Sequence, residues 1–92
     1  MQRRIRRDKR SSVKPRLFDI LLETKSEKDM IRAAAGLMHE LRAIYGMKVV
    51  RHSYAVDRPW TFIATVEATN AQIEAFSKRE SEAKVVALPP AA

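Results

Sequence analysis

Hydrophobic side chains follow two different periods along this chain, and the order of those periods limits the possible folds. Four short segments are predicted to be strands, and the first and third of them alternate strictly between two faces. They are RLFDILLET (16–24), MKVVRHSYAV (47–56), WTFIATVEA (60–68) and KVVAL (84–88). Two other segments carry apolar residues at spacings of three and four, which is the period of a helix. The sequence therefore predicts six elements in the order strand, helix, strand, strand, helix, strand.

The first helix is predicted over residues 26–45. Ser26 stands three positions before Asp29, which is a capping-box-like start, and Gly46 is expected to end the helix in the left-handed conformation. The apolar stripe of this helix comprises Met30, Ala34, Leu37, Leu41 and Ile44, widened by Ile31, Met38 and Tyr45. A stripe of this kind buries one side of the helix against a sheet.

A second, short helix is predicted to start at Thr69, whose spacing to Gln72 again matches a capping box, with Ile73 and Phe76 pointing inward. The order βαββαβ predicts a ferredoxin-like α+β sandwich. In that fold a four-stranded antiparallel sheet carries both helices on one face, and the first and third strands lie at its centre. We expect this domain to span residues 17–90.

The positive charge of the protein lies in its first sixteen residues, which we name the basic arm. The chain of 92 residues has a net charge of +7. The arm holds eight basic residues against Asp8 alone, whereas residues 17–92 hold ten basic and ten acidic residues. The basic residues of the arm are Arg3, Arg4, Arg6, Arg7, Lys9, Arg10, Lys14 and Arg16. Because like charges repel and few apolar side chains are present, we expect the arm to be disordered when free.

Nucleic acid is the predicted partner of the basic arm. Arginine outnumbers lysine six to two there, and guanidinium groups bind phosphate in a bidentate manner. An anionic membrane is an alternative, although the arm has no Trp, Phe or Leu for insertion. A mitochondrial presequence would also be rich in Arg and Ser but would usually lack an acid such as Asp8. A solvated tail that only aids solubility is the remaining interpretation.

One segment resembles a known nucleic-acid-binding signature. RPWTFIAT (58–65) resembles the third-strand motif of the RNA recognition motif, and LF (17–18) resembles its first-strand partner. The resemblance implies that Phe18, Trp60 and Phe62 stand on the open face of the sheet and stack on bases.

Strand parity favours the opposite orientation of the two phenylalanines. Pro59 stands where that family has Gly, and Thr65 stands where it has its last aromatic residue. Placing Phe18 on the open face would turn Asp19 into the core, and an unpaired buried carboxylate costs several kcal/mol. We therefore predict that Phe18 and Phe62 belong to the core, which leaves Trp60 as the one aromatic side chain of this set with partial exposure.

The open face of the sheet is predicted to bind protein. The central strands are expected to present there Leu17, Asp19, Leu21, Glu23, Thr61, Ile63, Thr65 and Glu67. A half-apolar, mildly acidic surface repels phosphate but suits a second copy or a larger assembly. The predicted partner or dimer face consists of Leu17, Leu21, Thr61, Ile63 and Thr65.

Two further resemblances concern the layout of the domain. Residues 46–76 are similar to the small dimeric α/β-barrel proteins, whose open sheets pack face to face and whose members include monooxygenase-like proteins with a pocket between sheet and helices. The order of elements also resembles bacterial small-subunit ribosomal protein six, although that family has a longer central hairpin and lacks the leading arm.

These features predict a nucleic-acid-associated structural or accessory protein, with RNA rather than DNA as the partner, in a ribosome-like assembly. The alternative is a dimeric α/β-barrel protein with a small-molecule pocket, which could be a small enzyme. Cys is absent, so disulfides and thiolate chemistry are excluded, and no apolar run approaches the roughly 18 residues of a membrane-spanning helix. The expected location is the cytoplasm, with the mitochondrial matrix as the alternative.

No catalytic residue, metal ligand or cofactor is predicted from the sequence, which favours a role other than catalysis. His39 and His52 are the only histidines, and they do not have the spacing of a metal site. With two glycines in the chain there is no Gly-rich phosphate loop. A pocket that pairs His52 or Tyr54 with Asp19 across the sheet is an open alternative to simple surface polar residues.

Overall fold

The computed structural model of the protein describes residues 14–56 and 59–89. Its elements are β1 (Arg16–Thr24), α1 (Glu27–Ala43), β2 (Lys48–Ala55), β3 (Trp60–Ala68), α2 (Asn70–Arg79) and β4 (Lys84–Ala87). The four strands form one sheet in the order β2-β3-β1-β4, and all neighbours are antiparallel. This is the ferredoxin-like α+β layout predicted from the sequence, and β1 and β3 have the predicted bounds.

The core lies on one face of the two central strands. Ile20 of β1 lies opposite Ala64 of β3, and both side chains are 0% exposed. Phe18 is buried on the same face. Leu41 of α1 and Phe76 of α2 belong to the same core cluster, so both helices cover this face, as predicted. The odd-numbered residues of β1 and β3 therefore form the open face.

The first helix begins where its capping signal predicts. The Ser26 side chain accepts a hydrogen bond of 3.1 Å from the backbone N–H of Asp29. The helix ends at Ala43, two residues before the predicted end, and Gly46 follows with φ of 67°. The predicted stripe is too wide, because Ile31 and Ile44 are more than half exposed. The buried residues of α1 are Met30, Ala34, Leu37 and Leu41.

An irregularity in β2 changes which of its side chains face the helices. Val49 pairs with Val66 of β3, but the next paired residue is Arg51, opposite Thr65. Val50 is therefore the extra residue of a β-bulge, and it reverses the alternation of faces beyond it. Because of this reversal, counting alternate residues along the whole segment 47–56 gives a wrong assignment of faces for one half of the strand.

The second helix is tied to the loop that follows the first. Thr69 and Gln72 form a complete capping box, as the sequence predicts. The Gln72 side-chain amide also donates hydrogen bonds of 3.1 Å to the carbonyl oxygens of Tyr45 and Gly46. The Tyr45 ring meets the buried Phe76 ring edge to face, with 5.4 Å between centroids. These contacts fix the start of α2 against the α1–β2 loop.

The fourth strand is short and lies at one edge of the sheet. β4 pairs with β1, with Phe18 opposite Ala87 and Leu21 opposite Lys84. The pairing continues for one residue, because the Leu88 N–H donates to the Leu17 carbonyl at 3.0 Å. The predicted end at residue 88 is thus one residue beyond the strand itself.

Candidate binding surfaces

The basic arm joins the domain at the start of β1. Its residues Arg3, Arg4, Arg6, Arg7, Lys9 and Arg10 lie outside the described residues. Lys14 and Arg16 are described, and both are exposed. Arg16 pairs with Ala68 in the sheet, and its guanidinium carbon lies 5.8 Å from the centroid of the Phe18 ring. This cation–π contact fixes the last basic residue of the arm on the helix-covered side of the sheet.

The five residues of the predicted partner face do share the open face. Leu21 lies opposite Ile63 at the centre of the sheet, and Leu17 lies nearer one end. β4 enlarges the apolar area, because Val86 lies opposite Asp19 and is 44% exposed. The exposed and half-buried apolar side chains of this face are Leu17, Leu21, Ile63, Val86 and Leu88.

The two threonines of the open face are less accessible than the sequence suggests. Thr61 is 8% exposed and Thr65 is 3% exposed. The Thr65 hydroxyl donates a hydrogen bond of 2.6 Å to Oδ1 of Asp19, and the Thr61 hydroxyl donates one of 3.1 Å to the Pro59 carbonyl. Both hydroxyl hydrogens are thus used within the chain, so this face offers a partner mainly apolar contacts and charges.

Charges on the open face are balanced rather than mildly acidic as predicted. The acids Asp19, Glu23 and Glu67 come from the central strands, as expected. The edge strands add Lys48 opposite Glu67, Arg51 opposite Thr65, and Lys84 opposite Leu21. The prediction was wrong because it considered only the central strands. A balanced surface neither attracts a polyanion nor repels a copy of itself.

The aromatic residues of the central strands do not form a stacking platform on the open face. Phe18 is 5% exposed and Phe62 is 0% exposed, and both lie on the helix-covered face. The prediction that both phenylalanines belong to the core is confirmed. Trp60 is half-buried and packs against the same core, beside an open hollow of about 600 Å³ that Thr24, Lys25 and Pro59 also line.

The bulge in β2 separates His52 and Tyr54 from Asp19. His52 lies opposite Ala64 and Tyr54 lies opposite Phe62, so both side chains are on the helix-covered face. Asp19 is on the open face, where Thr65 binds it. The pairing of His52 or Tyr54 with Asp19 that the sequence left open is therefore excluded. His39, the other histidine, is exposed on α1.

A groove between α1 and β2 is the feature that the sequence did not predict. His52, Tyr54 and Phe62 form an aromatic cluster along its sheet side, with ring centroids 5.4–6.0 Å apart. Ile31 and Met38 of α1 line its other side, in a hollow of about 250 Å³. Only the bulge brings His52 and Tyr54 to this side, and nothing in the residue pattern of 47–56 marks its position.

No protein-family model, curated protein or solved structure matches this chain. The described residues contain no cluster of three His, Asp or Glu side chains that could hold a metal ion. Within the same ranges, neither helix has the length and apolar character needed to cross a bilayer. The features of the chain that bear on function are the charge of the basic arm, the open face of the sheet and the groove between α1 and β2.

Proposed function

We propose that the protein is an RNA-associated accessory protein that binds phosphates through its basic arm and docks on protein through its open face. One observation carries the proposal: the whole net charge of +7 lies in residues 1–16, and the remaining residues sum to zero. Phosphate contacts supply most of the affinity of sequence-independent binding. The arm is the part of the chain with the charge to make such contacts.

The open face of the domain supports this proposal, because it suits a protein partner better than RNA. Burial of Phe18 and Phe62 leaves the open face without base-stacking rings from the central strands. The balanced charges of that face give it no attraction for phosphate. Its apolar centre instead suits a protein surface. Binding of RNA is then insensitive to sequence, and specificity comes from the protein on which the domain docks.

Two charge-matched variants test the role of the arm. Each replaces three basic residues by Gln, so that the net charge falls equally. The arm variant carries Arg3→Gln, Arg4→Gln and Arg6→Gln, and the domain variant carries Lys25→Gln, Lys28→Gln and Arg32→Gln, which are exposed positions at and before the first turns of α1. Fluorescence anisotropy with a single-stranded RNA oligonucleotide measures both affinities.

Each phosphate contact contributes about fivefold in affinity at 0.1 M salt, because the slope for single strands is about −0.7 per contact. The arm variant should therefore bind RNA about 100-fold more weakly than the wild type, and the domain variant should stay within twofold. Equal losses in the two variants would show that overall charge, and not the arm, drives binding, and the proposal would be wrong.

A second candidate function rests on the open face alone. Its apolar centre and its three acids against three bases are compatible with face-to-face packing of two copies, as in a dimeric α/β-barrel protein with a ligand pocket. Leu17→Lys would place a charge within such an interface. Light scattering should then show a monomer for this variant and a dimer for the wild type. A dimer in both would remove the support for this candidate.

A further inference from the structure

The two edges of the sheet differ in how they are protected from pairing with another strand. β4 has four residues and is followed closely by Pro89, and short edges and prolines both discourage pairing. β2 has eight residues. Beyond its bulge at Val50, residues 52–56 read His-Ser-Tyr-Ala-Val, with no proline and no Lys, Arg, Asp or Glu. Such an edge presents unpaired backbone N–H and C=O groups to solvent.

Exposed apolar side chains gather beside this same edge. In the described ranges seven large hydrophobic side chains are exposed, and four of them lie on β2 or next to it: Ile31 at 54%, Val50 at 47%, Tyr54 at 45% and Val56 at 59%. Two hollows of about 250 and 310 Å³ lie between α1 and β2, and both are lined by Ile31 and Tyr54. The edge thus combines free backbone groups with an apolar margin, which is the composition of an association site.

We propose that a second copy of this chain pairs with β2 in antiparallel fashion, joining the two four-stranded sheets into one. A two-fold axis perpendicular to the sheet keeps the helices of both copies on one side. Tyr54 of each copy then lies diagonally across the new strand pair from the partner's Tyr54, and Val56 lies opposite the partner's Val50. With Ser53 on the axis, His52 lies opposite the partner's Tyr54, and Arg51 lies opposite the partner's Ala55.

A second copy fits this edge because self-pairing of residues 50–56 about Ser53 places no two like charges directly opposite each other. Like charges directly opposite one another destabilise a strand pair, and the flanking Arg51 residues of the two copies stay apart in this register. The pairing leaves the open face free for the docking described above. The resulting dimer also carries two basic arms, and this affects RNA binding only if the proposed function of the arm holds.

The test uses the full chain and two matched double variants. The edge variant carries Tyr54→Lys and Val56→Lys, whose side chains are 45% and 59% exposed. The control carries Val86→Lys and Ile44→Lys, which are 44% and 55% exposed. Val86 lies on β4 at the opposite edge of the sheet, and Ile44 follows the end of α1, whereas Tyr54 and Val56 lie beside the start of that helix. Both add the same charge at equally accessible positions, so both should fold. Analytical ultracentrifugation over a range of micromolar concentrations gives the dimer dissociation constant of each protein.

Wild type and control should form dimers of similar affinity, and the edge variant should dimerise at least tenfold more weakly. In the wild type, hydrogen exchange of the amides in 52–56 should slow as concentration rises. A wild type that stays monomeric, or a control that loses the dimer while the edge variant keeps it, would overturn the proposal. So would exchange at 52–56 that does not change with concentration.

Salt separates this inference from the proposed function. Two copies each carry +7, so added salt screens their repulsion and should strengthen the dimer, whereas it should weaken RNA binding. A dimer that persists without RNA binding would contradict only the proposed function. RNA binding by a strictly monomeric chain would contradict only the edge pairing.

Discussion

Replacement of Phe62 by Leu tests the assignment of the central aromatic residues to the core. The Phe62 side chain is 0% exposed, and its ring centroid lies 5.4 Å from that of Tyr54 and 5.9 Å from that of His52. A hydrophobic replacement of similar size costs about 1 kcal/mol in a packed core. In a domain of this size that cost lowers Tm by about 4–8 °C. Replacement by alanine would cost about 3–5 kcal/mol, which is a large part of the free energy of unfolding of roughly 5–14 kcal/mol expected for a chain of this length, so leucine is the better test.

Thermal unfolding followed by circular dichroism measures the stability, and anisotropy at a temperature where both proteins are folded measures RNA affinity. A ring that stacks on a base contributes about 1–3 kcal/mol to binding, so its loss would weaken RNA affinity about 5- to 150-fold. We expect Phe62→Leu to bind RNA within twofold of the wild type. An unchanged Tm combined with a tenfold loss of RNA affinity would refute the assignment and restore the stacking interpretation.

Two further predictions concern stability, each with a matched control measured by urea unfolding. Thr65→Val removes the hydroxyl that donates a hydrogen bond of 2.6 Å to the Asp19 carboxylate, and it should lower the free energy of unfolding by about 1–2 kcal/mol. Thr61→Val should cost less, because the Thr61 hydroxyl donates to a neutral carbonyl. Equal costs would contradict the importance of the charged acceptor. Gly46→Ala forces a side chain into φ of 67° and should cost about 1–2 kcal/mol. Gly36→Ala lies in α1 with nothing within 4 Å of the added carbon and should stabilise by about 0.5–1 kcal/mol, so a loss of stability there would contradict the open space around it.

The central part of the fold could be predicted because each element there buries one side only. β1 and β3 alternate strictly between core and open face, and their predicted bounds and orientation are confirmed. The starts of both helices were marked by side-chain caps, at Ser26 and Thr69, whose hydrogen bonds depend on residues three positions away. Because these caps join residues close together in sequence, they can be recognised without knowledge of the tertiary structure.

The edge of the sheet could not be predicted for the opposite reason. Six of the eight residues of β2 are exposed, so the burial that creates an alternating pattern is missing. The bulge at Val50 then reverses the faces without any glycine or proline to mark it. The groove beside α1 and the separation of His52 from Asp19 follow from the pairing of β2 with β3, and the balance of charges on the open face follows from the pairing of both edge strands. These pairings join residues far apart in the chain, so no local sequence pattern predicts them.

The salt dependence of RNA binding tests the role of the basic arm most directly. The full chain and a chain that begins at Arg16, where β1 starts, would be titrated with single-stranded RNA, duplex DNA and anionic vesicles at several salt concentrations. The shortened chain keeps only one of the eight basic residues of the arm. With up to eight phosphate contacts, the log–log slope of the full chain on single-stranded RNA should approach about −6. The shortened chain should keep the circular dichroism spectrum of the folded domain and lose RNA binding. A shortened chain that binds RNA as tightly as the full chain, or a full chain that prefers vesicles to RNA, would contradict the proposal that the basic arm binds RNA.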